Sequence, residues 1–166
     1  MKRLFASFLL LATAGIAQNA SARDVLGTYK EWGAFRDRGL GGQPARCYAI
    51  AQPGDIAGKP EREAFVSLGV WANKGVRGQF HVRLSRDRST SAVAMVSLGG
   101  RSFRLTGSRS DLYAESRAMD RAIIAAIRTS SSLSVESIGR DGRPLVDAYN
   151  LKGAASAIDA ARIGCL

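Results

Sequence analysis

The chain reads as a mainly β protein: an antiparallel β-sandwich or half-open barrel of about seven or eight strands, with two helices packed at its margin. Three observations carry this. Short β-branched and aromatic segments recur along the chain, and Gln79–Ser85 alternates cleanly, with Phe80, Val82 and Leu84 on one face and Gln79, His81, Arg83 and Ser85 on the other. Gly99-Gly100 and Asp141-Gly142 are tight-turn dipeptides between such segments. Only one helical segment lies between strands, too few for a parallel sheet built from crossover units.

Taken in order, the chain opens on a leader. Lys2 and Arg3 precede an apolar stretch from Leu4 to Ile16, and Ala20-Ser21-Ala22 supplies the small residues of a cleavage site. This is the pattern of a secretory signal peptide over residues 1–22, cut after Ala22; an uncleaved anchor is the alternative. Residues 23–166 then form one domain, large enough for a proper core. Residues 23–28 read as a lead-in and Tyr29–Phe35 as a first, weakly patterned strand. Arg46–Ala51, Ala64–Trp71 and Gln79–Ser85 follow as strands, separated by connections at Gly39–Pro44 and Pro53–Pro60. Ala92–Leu98 and Arg101–Thr106 flank the glycine pair; Leu133–Ile138 and Pro144–Leu151 flank the Asp-Gly turn. Pro144 falls at the edge of its strand, where a missing N–H does least harm.

Met119, Ala122, Ile123, Ala126 and Ile127 recur at helical spacing, with Ser116 placed to cap the start and Asp120 in the first turn. A second helix runs from Ala154 to Ile163, with Ala154, Ala157, Ile158 and Ala161 as its buried stripe and Gly164 as terminator. No second long apolar segment follows the leader, so no transmembrane segment is expected after processing.

Charge and cysteine content bound the partners. The whole chain carries a formal +10, and losing Lys2 and Arg3 with the leader leaves +8, most of it arginine. Such a surface favours anionic partners, an envelope component or an acidic protein; a merely solvated surface is the bland alternative. Cys47 and Cys165 are the two cysteines, and in an oxidising compartment they allow one intramolecular bridge. Closing that loop restricts the unfolded chain by roughly 4–5 kcal/mol in the chain-entropy model. Two free thiols or an intermolecular bond remain as alternatives.

Several segments resemble the invasion-associated locus B family of exported proteins. They are Trp32-Gly33-Ala34-Phe35, Cys47 through Pro53, Asp120 through Ile127 followed by Leu133-Ser134-Val135, and Tyr149 through Ile158. Their order and spacing cover most of residues 25–165. The resemblance implies a β-rich exported protein of alphaproteobacterial type, in a family with no established catalytic reaction and a founding member linked to host-cell invasion. Many members carry further cysteines that this chain lacks, so their disulfide scheme is not carried over.

Chemistry finds little purchase. His81 is the only histidine, and it reads as a solvent-facing strand residue; no G-x-S-x-G elbow accompanies it. One histidine and two distant cysteines offer no metal-ligand spacing, and neither glycine pair has phosphate-loop context, so no metal or cofactor is expected. Trp32 and Trp71 read as core or edge anchors, or as a ligand platform. One basic segment stands out: Arg77, Arg83, Arg86, Arg88, Arg101, Arg104 and Arg109 face a single acid, Asp87. The first six, with His81, form a candidate binding ridge for carboxylate or phosphate; charged protection of a sheet edge is the alternative. No nucleic-acid recognition motif appears and no physiological nucleic-acid partner is expected. The expectation is a periplasmic or secreted, non-enzymatic interaction protein. Its rivals are a periplasmic hydrolase whose catalytic groups meet only in the fold, and a passive structural envelope protein. Oligomeric state is left open.

Overall fold

A computed structural model describes residues 23–39 and 45–166. The proposed leader, its cleavage point at Ala22 and most of the Gly39–Pro44 connection lie outside the described residues. The architecture is one antiparallel sheet of eleven strands with two helices, and it does not close into a barrel.

The strands are β1 (Arg23–Tyr29), β2 (Trp32–Asp37), β3 (Arg46–Ala51), β4 (Asp55–Ile56), β5 (Phe65–Trp71), β6 (Val76–Arg83), β7 (Ala94–Leu98), β8 (Arg101–Gly107), β9 (Asp111–Ala114), β10 (Ser132–Ile138) and β11 (Pro144–Asn150). Their order in the sheet is β1-β2-β3-β5-β6-β9-β8-β7-β10-β11-β4. Helix α1 spans Arg117–Ile127 and α2 spans Ala154–Gly164. The Ser116 side chain accepts the Met119 N–H, so the expected cap is present.

The expected strands are found with shifted bounds, and three are added, two of them short. The segment read as a lead-in is β1. The candidate Tyr29–Phe35 strand instead spans a turn at Lys30-Glu31, where Lys30 takes φ 57° without help from glycine or asparagine. β4 sits inside the connection from Pro53 to Pro60, and β9 is only four residues long.

The sheet curls. β3 and β4 stand eight strand-steps apart, which would be roughly 38 Å in a flat sheet at about 4.8 Å per step. Yet only residues 52–54 separate them in sequence, a reach of about 14 Å. The sheet must therefore bend until β11 comes back toward β3. A 2.9 Å hydrogen bond from Trp32 Nε1 to the Asn150 carbonyl spans the same gap.

Alternation sorts the residues of the curled sheet. Trp32, Ala34, Cys47, Ala49, Val66, Leu68, Phe80, Val82, Val96, Leu112, Val135, Leu145 and Tyr149 all point inward to one core. Helix α1 lays Ile123, Ile124 and Ile127 against it beside β6, β8 and β9; α2 lays Ala154, Ala157, Ile158 and Ala161 beside β1, β2, β3 and β5. Cys47 and Cys165 form a disulfide, with Cα atoms 5.8 Å apart, that fastens the end of α2 to the buried face of β3.

Candidate functional site

The arginine ridge does not form, because the fold sends its members in different directions. Arg86 and Arg88 are buried. Arg86 pairs with Asp141 and donates to the Pro144 carbonyl, tying the segment after β6 to the β10–β11 hairpin. Arg88 donates to the carbonyls of Ser89, Ala92, Gly107 and Ser108. The Arg88 guanidinium is consumed in holding loop backbone; that of Arg86 holds one carboxylate and one carbonyl, with its buried Nε unpartnered among the described residues. Arg77 is opposite Val70, on the side of the sheet that faces the helices. Arg101 lies over the Phe103 ring on that same side, whereas Arg104 is exposed on the outer face.

Arg83 and His81 do meet, on the outer face of β6, and they belong to a larger constellation. A groove of about 530 Å³ crosses β3, β5, β6 and β9 on the face turned away from the helices. Its aromatic residues touch one another and the neighbouring cations. The His81 ring stacks on Tyr113 at 4.6 Å and meets the Phe65 ring edge-on at 5.3 Å. The Arg83 guanidinium sits 5.3 Å from the centre of the Phe65 ring. Farther along, Tyr48 stacks on Phe35 at 5.7 Å while Arg23 and Arg46 lie over its ring. Trp71 covers Gly69 so closely that a side chain at 69 would run into its ring.

Local periodicity explains the arrangement. Phe65, Ser67, Gly69 and Trp71 are alternate residues of β5, and register places Ser67 against His81 and His81 against Tyr113. His81 and Arg83 were legible because β6 alternates. The aromatic members lie on four other strands, and only the strand order could have joined them.

Electrostatics are nearly balanced in the groove. Arg23 and Arg46 both pair with Asp37, and Arg83 pairs with Asp111. Burial pushes the Asp111 pKa up, but hydrogen bonds from Ser110, His81 and Arg83 outweigh it and leave the carboxyl low. Burial lowers the His81 pKa despite Asp111. An ionised carboxylate can only accept, so a neutral His81 donates its Nε2 proton to Asp111 across 3.0 Å. Ser110 Oγ also donates to Asp111, at 2.7 Å. The carboxylate thus stands between hydroxyl and imidazole, and in this trio the imidazole is not placed to take the serine proton. Among the described residues no group of three or more His, Cys, Asp or Glu side chains is arranged to hold a metal ion. No helix among them is long and apolar enough to cross a membrane.

Comparison with protein-family models, with curated proteins and with solved structures finds no match.

Proposed function

We propose that this chain is an exported, non-enzymatic binding protein of the invasion-associated locus B type, and that it holds a protein partner in the outer-face groove. The ordered row of half-buried rings with exposed guanidiniums over them is the observation that carries the reading. Aromatic residues and arginine dominate the energetic centres of protein interfaces: the rings present large rigid areas at low entropic cost, and the guanidinium stacks and donates in one plane. Here the Phe65, His81, Tyr113 and Arg83 side chains are already fixed by mutual contact. The groove's arginines are neutralised within the protein, so a shaped apolar and polar partner surface fits it better than a highly anionic one. The leader-like start and the Cys47–Cys165 bond support delivery to an oxidising compartment, periplasmic or extracellular.

The test compares oxidised wild-type protein with a Phe65→Ala/Tyr113→Ala variant as baits in envelope extract, at low and high salt. The expected result is one or more proteins retained by the wild type in both salts and lost by the variant. Equal retention by the two baits would sink the assignment of the groove.

A further inference from the structure

We propose that a second cleft, between α1, α2 and the β5–β6 hairpin, binds a free anionic amphiphile: a single apolar chain ending in a carboxylate or phosphate. The cleft encloses about 580 Å³, within the ordinary range for small-molecule sites. Val76 and Leu166 contribute accessible apolar surface to it, with Val70 and Ile124 buried beneath, and four arginines surround them: Arg77 from β6, Arg117 and Arg121 from α1, and Arg162 from α2.

These four cations lack the carboxylate partners that the outer-groove arginines have. None lies within 4.0 Å of a carboxylate among the described residues, whereas every arginine of the outer groove does. Arg117 and Arg121 are four residues apart, hence on one side of α1. Arg162 donates from Nε to the Arg77 carbonyl, which fixes its head group against β6. Asp120 is the one acidic side chain lining the cleft, and it is buried with Oδ1 accepting the Phe80 N–H at 2.8 Å. That carboxylate is engaged with the sheet backbone, and Arg117 and Arg121 act on it through space without a contact within 4.0 Å.

The chemistry of the occupant follows from both halves of the lining. Four like charges around one opening repel, and an anion that accepts from two or more of them relieves this through charge-assisted, bidentate contacts. An inorganic anion would leave the apolar surface wet. A neutral apolar chain would leave the arginines unpaired. A chain with an anionic head satisfies both, and the apolar part supplies affinity in proportion to the area it covers. This site is separate from the outer-face groove and stands whether or not that groove binds a protein.

Isothermal titration of the oxidised protein tests it, with dodecanoate and dodecyl phosphate as probes below their micellar range. Dodecyltrimethylammonium and inorganic phosphate serve as controls. Saturable one-to-one binding of both anionic probes is expected, with the two controls at least about tenfold weaker. Arg117→Ala/Arg121→Ala, at exposed helix positions, should weaken the anionic probes by about tenfold or more with an unchanged melting temperature. Arg162→Gln on the other helix provides the same reading if the double variant folds poorly. Arg104→Ala/Arg109→Ala removes equal charge elsewhere and should change nothing. Comparable binding of the cationic probe, uptake without saturation, or full affinity in the cleft variants overturns the proposal. So does association with phosphatidylglycerol vesicles in the absence of binding to the monomeric probes, which would make the surface a membrane contact.

Discussion

Arg88 shows how far a charged side chain can be from a surface role. Its guanidinium spans four carbonyls from two separate loops, so those loops are held together by one planar fork. Arg88→Ala leaves several part-buried acceptors unpaired and should cost about 2–4 kcal/mol in denaturant unfolding, with Arg88→Lys recovering little because an ammonium cannot span the same set. Asp147 plays a related part inside the core, where it accepts from both the backbone N–H and the hydroxyl of Ser85. Neither role was legible. Arg83 announces itself through the alternation of β6, but that pattern ends with the strand at Arg83, and Arg86 and Arg88 lie beyond it. Their direction depends on loops that pack from residues 107–108 and 141–144. A local pattern contains no information about those contacts.

Within elements, the turn chemistry was the most readable feature. Gly99 and Gly100 adopt φ of 55° and 72°, the two positive values a tight primed turn requires, and the β7–β8 hairpin forms around them. The Ser116 cap and the apolar stripes of both helices are equally local, and the periodicity placed them within a residue or two. β1, β4 and β9 escaped because each is short or poor in apolar residues, and is made a strand by its neighbours' unpaired backbone. Gly69 gives the outer groove a direct optical handle. Trp32 is buried to 1% exposure, while Trp71 lies half-buried over Gly69. Gly69→Ala should push the Trp71 ring outward, red-shifting its emission and increasing iodide quenching, with the Trp32 contribution unchanged. An unaltered spectrum would show that the ring does not rest there.

At the scale of the whole molecule, acid should loosen the fold over a defined range. Arg38 and Arg36 hold the Asp24 carboxyl at about 2, and hydrogen bonds from Arg128 hold Asp159 below its ordinary value. Burial pushes Asp37 up, but Arg23 and Arg46 more than reverse it. Groups lowered in this way stabilise the folded state fully above the unfolded carboxylate range of about 4 and stop doing so as pH falls toward 2. Burial raises Asp120 and Asp147, which act with the opposite sign and recover stability as they take up protons. The lowered group includes Asp111 and Asp141 as well, so the net expectation is a melting temperature that drops between pH 4 and pH 2. Asp24→Asn should flatten that drop in a thermal series. The mainly antiparallel, helix-flanked class was evident from alternation and turns, but the choice between a two-sheet sandwich and a single curled, half-open sheet was not, because it depends on β4 pairing across the far end of the sheet. The bridge adds a constraint in time. Its two sulfurs are 118 residues apart. At the usual pace of synthesis, roughly 5–20 residues per second, Cys47 emerges about 6–24 s before Cys165 can reach it. Throughout that interval its thiol waits unmated. Early pairing of β3 with its neighbours, which leaves Cys47 at 0% exposure in the finished fold, would withdraw it from other chains until its mate arrives.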